Sequence, residues 1–218
     1  MKFEIIKSGV RGTTPKETLL IQAWGTDAIR VRASKRNALK NTIDALKMMD
    51  TAASVTEGEE YIAVKNGLLT CRVYPTGHLG FYKGEECVLK EYSRDDTQKN
   101  GHSTPIAYAA RKYEAVEGGC RIQARFEGKK GEKIFGMGQY QQEYADLKGS
   151  IVELRQRNSQ ITIPFYLSNF GYGFLWNSAS IGEAMFGENY TQFTAECTEC
   201  IDYLVVAGDS PKEIVENY

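Results

Sequence analysis

The sequence predicts an all-β fold, a two-sheet antiparallel β-sandwich, on three observations. Glycine is plentiful and proline scarce, 21 against 5, and the glycines recur between short runs rich in Val, Ile, Tyr, Phe and Thr. Several runs alternate apolar and polar side chains, the period of a strand with one buried face. Turn-forming pairs separate the runs, and Asn66-Gly67 is the clearest hairpin signal among them. A chain of 218 residues suffices for one large β-domain or two small ones. It has no internal repeat and no low-complexity tract, so one domain of about a dozen or more strands is expected.

The elements follow in order. Lys2 to Ile6 alternates and reads as a first strand. Thr18 to Trp24 and Ala28 to Ala33 form a hairpin across Gly25-Thr26-Asp27, with Ile29 and Val31 on one face and Arg30 and Arg32 on the other. Arg36 to Met49 breaks the pattern, because Leu39, Ile43 and Leu46 fall at helical spacing; a short helical insertion packed on the sandwich is expected. Thr51 to Gly58 is small and polar and reads as a loop. Glu60 to Lys65, Leu68 to Tyr74, His78 to Tyr82 and Cys87 to Tyr92 form a meander. Ser93 to Thr104 is charged and aperiodic, a long exposed loop. Pro105 to Val116 pairs with Cys120 to Glu127 across Glu117-Gly118-Gly119. Ile161 to Ser168 and Tyr172 to Trp176 flank the turn Asn169-Phe170-Gly171, with Phe174 assigned to the strand face opposite Tyr172 and Trp176. Gly182 to Phe186, Thr191 to Glu196 and Cys200 to Ala207 complete the strands. Ser210 then suits a helix N-cap, Pro211 the first helical position and Glu213 the third, so a helix starts at Pro211. So short a helix is marginal unless it docks on something.

Charge and cysteine content exclude several functions. The formal net charge is −1, and the 27 basic residues are scattered, so no nucleic-acid footprint is present. No apolar run approaches the roughly 18 residues of a membrane span. The start, Met1-Lys2-Phe3-Glu4-Ile5-Ile6, lacks the apolar core of a signal peptide, and a cytoplasmic location is expected. Five cysteines, an odd number, read as reduced thiols. Cys197-x-x-Cys200 is a lone pair, and the only histidines are His78 and His102; no metal and no cofactor is expected. Gly136-Met137-Gly138 lacks the third glycine of a dinucleotide loop, since position 141 is Gln141, and no P-loop Lys-Ser or Lys-Thr follows. These glycines instead bend the backbone at a strand end.

The densest glycine, aromatic and amide content lies between Lys133 and Asn177. A polar loop, Arg155 to Gln160, sits on the shoulder of the Ile161 to Trp176 hairpin, where hydrogen-bonding groups can be held still. Glu143, Asp146 and Glu153 lie near it, with no reason to make any two of them a catalytic pair. Tyr140, Phe165, Tyr166, Phe170, Tyr172, Phe174 and Trp176 concentrate there as well, mostly for core and domain interface.

Several motifs in this stretch resemble the end of the N-terminal β-sandwich domain of glycoside hydrolase family 31, the α-glucosidase and α-xylosidase family. They are Phe135-Gly136-Met137-Gly138-Gln139, Asp146-Leu147-Lys148-Gly149, Arg157-Asn158-Ser159-Gln160, Pro164-Phe165-Tyr166-Leu167-Ser168 and Gly171 to Asn177. Each is weak alone; their order and spacing are specific. The tail Gly208 to Tyr218 resembles the linker into that family's catalytic barrel. The likeness is strong over residues 133 to 218 and looser before them.

The resemblance implies a galactose mutarotase-like supersandwich over residues 1–208 and, over 209–218, the start of a linker helix to a (β/α)8 barrel lying outside this chain. Both catalytic aspartates would sit on that barrel, so no catalytic residue is expected here and the chain alone is expected to be inactive. Arg157, Asn158 and Ser159 would help shape a sugar subsite; many members carry Arg-Asp where this chain has Arg157-Asn158, and the Arg-Asn-Ser-Gln form is closer to the α-xylosidase-like branch. Asp146 is expected to cap its own turn. Implied partners are the barrel of the parent chain and an α-linked oligosaccharide or glycoside, with self-association through an exposed barrel-facing surface. Two other classes remain open: a free-standing carbohydrate-binding module, and a mutarotase-like isomerase. The isomerase would need a histidine and a carboxylate together, and nothing in the sequence places His78 and His102 so.

Overall fold

A computed structural model describes residues 1–35, 39, 46, 51–93 and 108–218. The predicted helix at 36–49, apart from Leu39 and Leu46, and most of the predicted loop at 93–104 lie outside the described residues.

Among the described residues, eighteen strands and one helix follow one another. They begin with β1 (Lys2–Ile6), β2 (Gly9–Thr13), β3 (Thr18–Trp24), β4 (Ala28–Ser34), β5 (Ser54–Glu57), β6 (Ile62–Asn66), β7 (Leu69–Val73), β8 (Leu79–Lys83) and β9 (Glu86–Lys90). Next come β10 (Arg111–Val116), β11 (Gly119–Glu127), β12 (Ile134–Gln139), β13 (Ile151–Leu154), β14 (Ile161–Ser168) and β15 (Tyr172–Trp176). The chain finishes with β16 (Gly182–Phe186), β17 (Tyr190–Thr198), β18 (Ile201–Ala207) and α1 (Pro211–Asn217). One layer is an eight-stranded sheet ordered β1-β2-β3-β4-β18-β15-β14-β12. The opposite layer is divided into two five-stranded sheets, β10-β11-β17-β16-β13 and β5-β6-β7-β8-β9. Every ladder among the described residues is antiparallel; β3 pairs with β4 across the predicted turn and β6 with β7 across Asn66-Gly67.

The sandwich expectation holds, with a refinement in its second layer. The two five-stranded sheets meet where Glu91 bridges Phe126 and the Tyr92 N–H donates to the Arg125 carbonyl at 2.9 Å. There the chain just past β9 takes over the partnering of β11 from β10, which pairs with it only up to Ala124.

One core fills the space between the layers. Phe174 is its centre, with ring centroids 4.8 Å from Phe193, 5.1 Å from Phe126, 5.2 Å from Tyr203 and 5.4 Å from Tyr166. Tyr172, Phe174 and Trp176 are all buried in this one core. The expectation that divided them between two faces is corrected by the strand period itself: residues two apart share a face.

Three strands depart from the sequence reading. β5 forms within the stretch read as loop; it is an exposed edge strand, paired only with β6, so no apolar alternation marks it. β2 was not anticipated, because two of its five residues are glycine. A Cβ on Gly9 would collide with the Ile21 carbonyl oxygen of β3, so that glycine is required for the strands to pair. β13 is four residues long, and its exposed Ile151 beside buried Val152 hides the alternation in the sequence.

The helix starts at Pro211 as expected. The Ser210 hydroxyl accepts from the Glu213 N–H at 3.3 Å, whereas the Glu213 carboxylate reaches one residue further back than a capping box does, accepting from the Asp209 N–H at 2.7 Å. The helix docks on the outer face of the eight-stranded sheet. Ile214 is buried against Phe165, Leu175, Leu204 and Val206, and Tyr218 stacks on Phe165 at 4.1 Å. Gly173 makes the seat possible, since a Cβ there would lie 2.7 Å from Ile214 Cγ2. This second apolar cluster explains why β18 is buried at every position: its odd residues face the main core and its even residues Leu204 and Val206 the helix side.

Candidate functional site

The loop at 155–160 joins β13 to β14 and is exposed from Arg155 to Ser159. Its conformation is fixed by bonds that the chain makes to itself. The Gln160 N–H donates to the Arg157 carbonyl at 3.2 Å, closing a tight turn in which Ser159 takes φ +65°. The Gln156 amide clasps the backbone of Thr162, donating to its carbonyl at 2.9 Å and accepting from its N–H at 3.1 Å. Gln160 Nε2 donates to the Arg155 carbonyl at 3.2 Å.

Within this turn the three candidate residues are brought together at one exposed tip. Among the described residues, no hydrogen bond engages the side chains of Asn158 and Ser159. Arg157 is already engaged, since its guanidinium pairs with Glu153 on β13. That pairing has a local cause. Glu153 lies directly opposite Glu183 in the β13–β16 ladder, and like charges in that position repel. Arg157 offsets the repulsion with one of its five N–H donors and keeps the rest.

The neighbouring motifs are structural. The Asp146 carboxylate accepts from the Ile134 N–H at 3.0 Å and the Lys148 N–H at 3.1 Å, which is the expected turn cap. Lys148 Nζ reaches buried Glu132 at 3.1 Å, and Glu132 also accepts from Tyr172 at 2.6 Å and Ser168 at 2.9 Å. Gly136 and Gly138 have φ +125° and +104° and flank buried Met137 at +70°, at a register irregularity between β12 and β14. They bend a strand, as the sequence indicated. Asp146 thus bonds to the backbone and Glu153 pairs with Arg157.

No group of three or more His, Cys, Asp or Glu side chains among the described residues could hold a metal. All five cysteines are free thiols; burial, with Asp202 adding to it, pushes Cys200 up to about 11. His102 lies outside the described residues. His78 is half-buried, with Nδ1 2.9 Å from the Thr76 hydroxyl. Burial above all lowers its pKa. The folded state therefore resists protonating His78 while the unfolded chain takes up the proton near pH 6.5. Stability should be untouched by His78 above that pH and decline as the pH falls from it towards the lowered folded value. A His78→Gln variant followed by urea unfolding at pH 7.5 and 5.5 is expected to lose less stability between the two than the parent.

The sequence missed the charged groups buried deepest. Arg30 and Asp202 form a two-pronged pair at 2.9 and 2.5 Å, and Arg111 binds both Glu91 and Glu17. Their partners are far apart in sequence, and no local pattern announces them.

Beside the loop, β14 presents an uncovered apolar stripe. Phe135, Ile161, Ile163, Val215 and Tyr218 are between 38% and 52% exposed. Ile161 and Ile163 continue the odd-numbered row of Phe165 and Leu167, and Phe135 on β12 pairs with Leu167. Val215 comes from the helix and Tyr218 from its C-cap, packed on the same face. The loop tip thus stands at one end of the stripe, a single residue before Ile161.

These features define a class, a two-layered β-sandwich domain with a polar loop at the rim of an unburied apolar face. No family model matches the chain. Individual relatives do. It is 35% identical over 215 residues to the uncharacterized family 31 glucosidase ORF2 of Pseudescherichia vulneris, covering 93% of this chain and 41% of that protein. It is 31% identical to α-xylosidase A of Aspergillus niger, covering 92% and 29% respectively. Among solved structures, a family 31 α-xylosidase from a soil metagenome, complexed with xylose, superposes with a TM-score of 0.92 at 36% identity, over 100% of this chain and 34% of that one. The chain is thus a glycoside hydrolase family 31 β-sandwich domain, corresponding to the N-terminal domain of those enzymes. It spans about two-fifths of the length of the first relative and about a third or less of the other two.

Proposed function

We propose that this chain serves as the accessory β-sandwich domain of a retaining α-glycosidase, of α-xylosidase or α-glucosidase type. The reacting carboxylates would lie on a (β/α)8 barrel outside residues 1–218, with the sandwich spanning 1–208 and α1 within the connection at 209–218. The domain supplies a scaffold, a face for the barrel and a loop that contacts the sugar. One observation carries this reading: the Arg157-Asn158-Ser159 tip and the apolar stripe share a rim. A barrel seated on the stripe would have the loop at its mouth. A free-standing carbohydrate-binding module has no use for such a stripe. The five free thiols suit a reducing compartment, and we place the enzyme in the cytoplasm.

At the tip, Arg157 and Asn158 offer neutral-sugar hydroxyls several donors and an acceptor. Each such bond is worth about 0.5–1.5 kcal/mol net. In the polypeptide continuing past Tyr218, Asn158→Ala is expected to raise KM for an aryl α-xyloside by about two- to tenfold. An unchanged KM and kcat would remove the loop from the subsite.

A further inference from the structure

We infer that Tyr140 is the positioning residue of the sugar-contacting loop, fastening both of its ends at one point. This rests on the subsite reading of the loop for its consequence in catalysis, but the fastening itself is a property of this domain alone.

Three short contacts join the Tyr140 phenol, the Thr162 hydroxyl and two carbonyls. The Tyr140 hydroxyl lies 2.7 Å from the Glu153 carbonyl, on the strand entering the loop. It also lies 2.9 Å from the Thr162 hydroxyl, on the strand leaving it. The Thr162 hydroxyl is in turn 2.8 Å from the Arg155 carbonyl, the first residue of the loop. Two hydroxyl protons therefore serve three short contacts, and the phenol and the threonine share them between the two carbonyls. Thr162 is also the residue whose backbone Gln156 clasps on both sides. Entry, exit and interior of the loop converge on the Tyr140–Thr162 pair.

Glu153 links this anchor to the tip. Its carbonyl bonds to Tyr140 and its carboxylate to Arg157. A shift of the β13 end would move Arg157 with it. The phenol is half-buried; burial raises its pKa, with the Thr162 bond acting the other way and the charge of Glu153 adding to the rise. It remains a neutral hydroxyl at the pH where glycosides are assayed. The bend at Gly136-Met137-Gly138 lies two residues before Tyr140, and the β12–β14 register changes across it. Past the bend the ladder resumes with Gly138 opposite Thr162 and Gln139 opposite Ile161, which brings Tyr140, the next residue, to the loop.

Tyr140→Phe removes one of the two protons and keeps the ring. The test is amide hydrogen exchange on this 218-residue chain, followed by kinetics on the polypeptide that continues past Tyr218. Exchange at the Gln160 and Thr162 amides is expected to quicken about five- to tenfold in the variant, with the amides of β15 and β18 unchanged. Unaltered exchange at Gln160 and Thr162 would overturn the inference whatever the kinetics. Acceleration spread through β15 and β18 would overturn it too, by making Tyr140 a general stability residue. In the longer polypeptide, a KM raised several-fold with the pH profile of kcat unmoved supports a positioning role. Quickened exchange with wild-type KM would keep the fastening and remove the loop from the subsite instead.

Discussion

Arg111→Met is expected to destabilise the domain by about 3–5 kcal/mol, the cost of stranding a buried carboxylate. Arg111 donates to both oxygens of Glu91 at 2.6 Å, to Glu17 at 2.9 and 3.0 Å, and to the Gly77 carbonyl at 2.9 Å. Its side chain is 7% exposed and that of Glu91 1%. Glu91 has further donors in the Leu79 N–H at 3.1 Å and the Tyr203 hydroxyl at 3.3 Å, but among the described residues it forms an ion pair with no cation besides Arg111. The position of Arg111 explains the size of the effect. It stands on β10 in one five-stranded sheet, Glu91 follows β9 in the other, and Glu17 precedes β3 in the eight-stranded sheet. One guanidinium thus ties all three sheets together at the seam of the divided layer. Urea unfolding of the variant would measure the loss. Adding Glu91→Gln should restore part of it, because the stranded charge goes with the substitution. A loss below about 1 kcal/mol, in the range of exposed ion pairs, would mean that water reaches these carboxylates.

The second large effect concerns the stripe. Ile163→Asp should leave the stability of this chain within about 0.5 kcal/mol, because the residue is on the surface. The same change should abolish association through the face it occupies. The unchanged chain is expected to self-associate with rising concentration, as exposed apolar patches do, and the variant to sediment as a monomer. In the longer polypeptide the aspartate would be buried against the barrel without a cation, at several kcal/mol, and the two parts should unfold separately. A monodisperse unchanged chain at high concentration, together with a longer Ile163→Asp polypeptide that still unfolds in one step, would show that the stripe faces water.

Much of the fold was legible because local chemistry dictated it. Asn66-Gly67 can hardly be anything but a hairpin turn, and Ser210-Pro211 followed by Glu213 states where a helix begins. The strands that escaped notice were those stabilised by neighbours instead of by their own pattern: β2 is threaded with glycine to approach β3, and β5 is held only at one edge. The outer-face seat of α1 was equally hidden, since β18 reads as continuously apolar and gives no sign of which residues face a helix. At the site, resemblance pointed to Arg157, Asn158 and Ser159, but the sequence could not reveal that Glu153 already holds Arg157. That contact depends on β13 pairing Glu153 with Glu183. Nor could it reveal Tyr140, whose partners at Glu153 and Thr162 become neighbours only once β12 bends. Arg111, Glu91 and Glu17 were invisible for the same reason.

If this domain assists a hydrolysis whose acid, base and nucleophile lie elsewhere, assays of chromogenic α-xyloside and α-glucoside should show turnover by the polypeptide continuing past Tyr218 and none by this 218-residue chain alone. Turnover by the chain alone would contradict that role, and would make Glu143, Asp146 and Glu153 the first carboxylates to replace.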